Sequence, residues 1–187
     1  MLGCGIVIAA ARFADTEPSR RSSTAFAVWF LIAAIAVAIL TAVIAAPLAQ
    51  AQGHTAFAVP IYKAFSYLCH QLPDRSFHLG RHQFAVCSRC TGLYAGFALA
   101  TLALPLVRPL HRTDTPRVIW LFLSAVPLAV DFGLTYFGIW ENNHFTRVTT
   151  GALFGAVAAI YVVPGLIELS ETIRQRFKSE PPAVAGG

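Results

Sequence analysis

Charged residues are scarce in this sequence. Asp, Glu, Lys and Arg together make up 12% of the 187 residues, whereas soluble domains average about 25%. Hydrophobic residues account for 56%, and they are gathered into runs long enough to cross a bilayer. This composition excludes an ordinary soluble domain and predicts an integral membrane protein. The lipid bilayer is therefore its expected partner.

Motifs that carry several common chemistries are also missing. The sequence has no glycine-rich phosphate loop and no nucleophile elbow, and we find no paired carboxylates of the kind that act in acid–base catalysis. It has no nucleic-acid-binding motif either, so we expect no nucleic-acid partner. We attribute the formal net charge of +5 to arginines that flank membrane spans.

Four hydrophobic runs predict an all-α, polytopic membrane protein built as a four-helix transmembrane bundle. The predicted membrane domain is 24–167, with spans at 24–49, 90–107, 118–138 and 148–167 and tails at 1–23 and 168–187. The first run is longer than the apolar core of a signal peptide, so we expect it to remain as an uncleaved anchor.

The distribution of basic residues predicts the orientation of the bundle. If the N-terminus is cytoplasmic, nine of the 14 Lys and Arg residues fall on the cytoplasmic side and five on the other. The positive-inside rule then favours a multi-pass protein of the cell membrane with both termini in the cytoplasm. The connection at 50–89 would be extracytoplasmic, and it is expected to contain a short amphipathic helix at 55–68.

This outer Cys/His loop concentrates the reactive side chains. Cys69, His70, Cys87 and Cys90 offer three thiolates and an imidazole, which is a ligand set for structural zinc, although soft sulfur also accepts other thiophilic metals. His82 is the alternative nitrogen donor. We expect the three sulfurs to converge because both ends of the loop lie at the membrane surface. The leading interpretation is therefore a metal-binding site.

Two other interpretations remain open. Cys87 and Cys90 have C-x-x-C spacing at the start of a helix and enclose Arg89. The helix dipole and this arginine both lower a thiol pKa, as in a thiol–disulfide oxidoreductase. Alternatively, Cys69 forms a structural disulfide with one of the pair, in a protein that handles a lipid or a small anion. The sequence does not decide whether the protein is an enzyme.

A polar pocket is predicted next to the cysteines. Asp131 lies inside the third span, where a charged residue is costly and is by default a functional candidate. Arg147 and Arg89 begin neighbouring spans and are its expected partners. Arg75, Arg81 and Arg89 suit an anion or a lipid headgroup, because guanidinium groups match phosphate geometry. Asp131, Arg147, Arg75 and Arg89 are the catalytic candidates.

Two GxxxG motifs predict close helix packing. Gly92 and Gly96 lie in the second span, and Gly151 and Gly155 lie in the fourth. Such small-residue faces let helix backbones approach closely, within one chain or between two. An oligomer formed through these faces is therefore a further prediction.

The cysteine motifs resemble those of a known family. The element CHQ-x-P-x-R-S beginning at Cys69 and the element C-x-R-C-T-G beginning at Cys87 are similar to those of an uncharacterised family of small bacterial and archaeal integral membrane proteins, a domain of unknown function. Asp131 and an Arg-x-x-Thr-Gly element at Arg147 match it less specifically. The resemblance covers about 63–167. It implies a membrane fold and a shared site, but no reaction.

Overall fold

The computed structural model describes residues 3–179, with side chains described from 23 to 177. The predicted tails extend beyond these ranges. The helices are α1 Gly3–Ala51, α2 Thr55–Ser66, α3 Ser88–Val107, α4 Ile119–Tyr136 and α5 His144–Ser179; the strands are β1 Ser76–Leu79 and β2 His82–Cys87.

In the described part of the chain, four helices are long and apolar enough to cross a membrane: α1, α3, α4 and α5. This confirms the predicted all-α bundle, with the short α2 where an amphipathic helix was expected. Both α1 and α5 continue past the predicted span limits. Only 6% of the residues in the apolar stretch of α4 are buried. This low burial fits a helix that faces lipid on most of its surface.

Helices α3 and α5 pack closely and run in the same direction. A Cβ atom added at Gly92 would lie 2.2 Å from the Val148 carbonyl oxygen, and one added at Gly96 would lie 2.1 Å from the Ala152 oxygen. The contacts advance by four residues on both helices together, so the helices are parallel. Their first turns therefore lie at the same end of the bundle.

The second GxxxG motif makes the reciprocal contact. A Cβ atom at Gly151 would lie 2.2 Å from the Arg89 oxygen, and one at Gly155 would lie 2.1 Å from the Leu93 oxygen. Both glycine faces are thus occupied within one chain. An oligomer through these faces stays a prediction, and it would have to displace the intrachain contact.

The segment predicted as an outer loop contains a β-hairpin that the sequence did not lead us to expect. Strands β1 and β2 pair antiparallel, with Leu79 opposite His82. The two-residue turn between them starts at Gly80, whose φ of 62° suits the tight turns that join twisted strands. A short 3₁₀ turn at Pro73–Arg75 leads into the hairpin.

One hydrophobic cluster holds the hairpin and α2 against the end of α1. It contains Val43 and Ala46 of α1, Phe65 of α2 and Val86 of β2, together with Cys69. Burial of these side chains fixes the two ends of the cysteine loop beside each other. The hydrophobic packing therefore positions the reactive groups.

Candidate functional site

Three cysteine sulfurs meet where α2, β2 and α3 come together. Cys69 follows α2, Cys87 ends β2 and Cys90 lies in the first turn of α3. Their Sγ atoms all lie within 4.8 Å of one another. Cys69 is buried and the other two are half-buried. The structure thus confirms the predicted convergence across the intervening hairpin.

The three cysteines are free thiols, and Cys69 and Cys90 both hydrogen-bond to Cys87. The backbone N–H of Cys87 donates to Cys69 Sγ at 3.2 Å. The pKa of the Cys87 thiol is lowered, first because Cys69 hydrogen-bonds to it and second because Cys90 does. These contacts stabilise a thiolate at Cys87, which is the form that binds metals and attacks disulfides.

The predicted histidine ligands do not join this cluster. His70 is exposed on the wall of the adjoining cavity, and His82 lies by a separate cavity at the hairpin. Among the described residues, no histidine nitrogen lies within 4.8 Å of all three sulfurs. A fourth ligand from His70 or His82 therefore stays a prediction, and it requires the histidine to move.

Asp131 is the centre of a polar chain that links three helices. Its carboxylate forms an ion pair with Arg89 through Oδ2 and Nη2. Asn142 Nδ2 donates to the same oxygen at 2.8 Å. Arg147 Nε in turn donates to Asn142 Oδ1 at 2.6 Å. Arg89 is therefore the direct partner of Asp131, and Arg147 reaches it through Asn142.

The role of Asn142 in the site could not be predicted from the sequence. It lies in a short polar connection, where asparagine is common, and nothing in the sequence marks it as a bridge. Only 9% of its surface is exposed, although it belongs to no helix or strand. Burial of both amide atoms against charged partners identifies it as part of the site.

A cavity of about 440 Å³ lies between the cysteines and this polar chain. Arg75, Arg89 and Arg147 line it together with the three cysteines. Much of the remaining wall consists of Leu68, His70, Leu72, Phe132 and Tyr136. Of the arginines predicted to bind an anion, Arg81 is placed elsewhere, beside the second cavity at the hairpin.

Ser88 and His144 connect the elements around Arg75. The fully buried Ser88 hydroxyl donates to the Arg75 carbonyl oxygen at 2.9 Å and also hydrogen-bonds to His144 Nδ1. The His144 ring stacks on Phe77, with ring centroids 5.2 Å apart. These contacts fix the start of α3 and the start of α5 to the turn that carries Arg75. Sequence reasoning did not identify either residue.

Gln71 explains part of the CHQ element. Its φ is 50°, in the left-handed region that a non-glycine residue rarely occupies. Its side-chain Nε2 donates to the Tyr62 oxygen at 2.8 Å and to the Ala85 oxygen at 2.7 Å. The side chain thus joins α2 to β2, and the unusual backbone turns the chain just after Cys69.

Comparisons with known proteins identify relatives of the chain. Residues 69–161 match the family described as "Predicted membrane protein (DUF2085)". The uncharacterized protein MJ1492 of Methanocaldococcus jannaschii is 32% identical over 118 residues, or 63% of this chain and 74% of that protein. An uncharacterized protein of Methanothermobacter thermautotrophicus is 34% identical over 96 residues, or 51% of this chain and 85% of that protein.

The chain belongs to the DUF2085 family. This confirms the resemblance inferred from the cysteine motifs. The matched region begins at Cys69 and includes Asp131 and Arg147, so the three cysteines, the cavity arginines and Asp131 all fall within the DUF2085 region. No solved structure matches the chain.

Proposed function

We propose that this protein is a multi-pass membrane protein that holds a thiophilic metal ion, zinc in the first instance, at Cys69, Cys87 and Cys90. The observation that carries the proposal is the mutual spacing of the three sulfurs, all within 4.8 Å. Thiolates bound to one zinc ion at about 2.3 Å lie roughly 4 Å from one another. The sulfurs need only a small adjustment to reach that arrangement.

The fourth coordination position determines which kind of metal site this is. Structural zinc takes four protein ligands, and catalytic zinc keeps one position for water or substrate. His70 lies on the wall of the cavity next to the cysteines and would complete a structural Cys₃His set. Without it, a metal held by the three cysteines would keep one position for water or substrate beside the cavity that the arginines line, as a catalytic metal does.

We place the site at the extracytoplasmic face of the cell membrane, with both termini in the cytoplasm. The support is the excess of Lys and Arg on the opposite side, nine against five. Free thiols outside the cytoplasm tend to be oxidised. A bound metal protects thiolates from oxidation, so an extracytoplasmic location is consistent with a metal site.

Metal analysis tests the proposal directly. Protein purified without chelator is expected to contain one equivalent of metal per chain by elemental analysis. Thiol counting on the same sample should find the three cluster cysteines protected until a chelator is added. Cys69→Ser is expected to lose the metal, whereas the matched control Cys4→Ser retains it. A metal-free preparation with all thiols reactive would contradict the proposal.

A second candidate is a thiol–disulfide oxidoreductase. The lowered pKa of Cys87 supports it, and so does the contact among the three sulfurs. Here the Cys87 thiolate attacks a disulfide of the substrate and forms a mixed disulfide, releasing one substrate thiolate, which takes up a proton. Cys90 then gives up its proton and displaces the second substrate thiol. The protein is left with a Cys87–Cys90 disulfide and the substrate with two thiols.

Trapping distinguishes the two candidates. In a thiol–disulfide oxidoreductase, Cys90→Ser should accumulate a mixed disulfide at Cys87, detected by non-reducing electrophoresis and peptide mass analysis. The wild-type protein should then carry no stoichiometric metal. If Cys90→Ser traps no partner and the wild type contains metal, the redox candidate is rejected.

A further inference from the structure

We propose that the arginine-lined cavity binds the phosphate group of an organic phosphate that carries an apolar group. This ligand is separate from the proposed metal and does not depend on it. The phosphate would contact Arg75 and Arg147, and the apolar group would lie against the hydrophobic part of the lining, which includes residues of α4.

The charge balance of the cavity favours an anion. Arg75, Arg89 and Arg147 line it, and the Asp131 carboxylate offsets one of these charges. Three positive charges less one negative charge leave an excess of two when the thiols are protonated, and an excess of one when Cys87 is a thiolate. A divalent metal with three thiolates would add one negative charge, so one positive charge would still be unmatched. Arg147 is buried, and a buried charge without a counter-ion is costly, so a bound anion removes that cost.

Unused hydrogen-bond donors point into the same space. Arg147 is 8% exposed and donates through Nε to Asn142. Its two terminal amino groups have no acceptor among the described residues, yet the residue lines the cavity. The Arg75 side chain also has no acceptor within the described part of the chain. Paired guanidinium donors of this kind match the oxygens of a phosphate group.

The size of the cavity and the apolar part of its lining favour an organic ligand over a bare ion. Its volume of about 440 Å³ lies within the range of roughly 300–1,000 Å³ that holds small organic ligands. Leu68, Leu72, Phe132 and Tyr136 form an apolar wall. The last two belong to α4, the helix that faces lipid on most of its surface. The ligand therefore combines a phosphate with an apolar group, as a phospholipid or a soluble aryl phosphate does.

Binding to the purified full-length protein tests this proposal. The probes are short-chain dihexanoyl phosphatidic acid, phenyl phosphate and inorganic phosphate, measured by calorimetry in neutral detergent. We expect at least one of the two esters to bind ten times more tightly than inorganic phosphate. Preference for phosphatidic acid identifies a lipid source, and preference for phenyl phosphate identifies a soluble one. If neither ester binds, or inorganic phosphate binds equally well, the proposal is wrong.

Charge-matched variants locate the binding site. Arg75→Gln and Arg147→Gln should each weaken ester binding at least tenfold, whereas Arg81→Gln, the same change outside the cavity, should leave it unchanged. Arg75 is exposed, so its variant is expected to fold even if the Arg147 variant does not. Equal losses in Arg75→Gln and Arg81→Gln would overturn the proposal, because they would show non-specific attraction.

Ester binding to a cysteine variant distinguishes the arginine site from the proposed metal site. Ester binding should survive in Cys69→Ser and in chelator-treated protein, whether or not the wild type carries metal. If Cys69→Ser abolishes binding and Arg75→Gln does not, the ester is a ligand of the metal instead, and the arginine site is rejected.

Discussion

Asp131 shows how one residue can hold several helices at the membrane surface. It lies five residues before the end of α4, or about 7.5 Å from that end at 1.5 Å per residue. An isolated carboxylate there costs a few kcal/mol. Arg89 from α3 and Asn142 before α5 both satisfy it. These contacts attach the lipid-facing α4 to the rest of the site and place one wall of the cavity.

Breaking this pair is expected to destabilise the protein strongly. Asp131→Asn and Arg89→Gln should each lower the free energy of unfolding by about 3 kcal/mol, because each leaves a mostly buried charge without its partner. The double variant should cost less than the sum of the two. Arg147→Gln should couple to Asp131→Asn more weakly, because Asn142 separates the two charges. Unfolding of the three single variants and the two double variants in mixed detergent micelles measures these values.

Glu141→Gln is the control for these variants. Glu141 is exposed and has no ion pair in the described part of the structure, so its change should stay within about 0.5 kcal/mol. Strict additivity of Asp131→Asn and Arg89→Gln would contradict the direct pairing.

Gln71 provides a second test at the level of single residues. Gln71→Ala removes the hydrogen bonds to the Tyr62 and Ala85 carbonyl oxygens and keeps the left-handed backbone, so we expect a loss of about 1–3 kcal/mol. Gln71→Gly loses the same bonds but tolerates the positive φ without strain. The glycine variant should therefore unfold at a higher denaturant concentration than the alanine variant. The reverse order would show that backbone strain is unimportant here.

At the level of elements, the contact between α3 and α5 sets the geometry of the site. The glycines bring the two backbones together in parallel, so Arg89 and Arg147 lie at the same end of the bundle. Both arginines then reach the Asp131–Asn142 pair from neighbouring helices. Close backbone approach thus brings two positive charges into a single cavity.

A methyl group at this contact should force the helices apart. Gly151→Ala would place Cβ 2.2 Å from the Arg89 oxygen, so we expect a loss of stability of about 1–3 kcal/mol and weaker binding at the arginine cavity. Gly165→Ala is the control in the same helix, since an added Cβ there meets nothing within 4 Å among the described residues. Equal stability of the two variants by detergent unfolding would refute the close contact.

At the level of the whole molecule, the features that could be predicted from the sequence are those that a single segment of the chain determines. A membrane-length apolar helix is encoded by its own hydropathy, so the positions of four such helices could be predicted to within a few residues, apart from the extensions of α1 and α5. The meeting of Cys69 with Cys87 and Cys90 could be predicted because both ends of one loop return to the same membrane surface.

Features that depend on pairs of distant segments could not be predicted in this way. The hairpin has strands of four and six residues, too short to give a distinct pattern beside a cysteine motif. Asn142 and His144 acquire their roles only when α4 and α5 are placed against α3 and the turn at Arg75. The choice of Arg89 over Arg147 as the partner of Asp131 likewise follows from helix packing.

The orientation of the whole bundle is the last prediction. Single cysteines are introduced at Ser23, His54 and Thr115, which are all exposed, and labelled in intact cells with a membrane-impermeant maleimide. His54→Cys should react from outside, whereas Ser23→Cys and Thr115→Cys should react only after permeabilisation. Peptide mapping separates these thiols from the native ones. The reverse pattern would place the cluster in the reducing cytoplasm, where free thiols persist without a metal. It would therefore overturn the proposed topology and remove one support for the metal site.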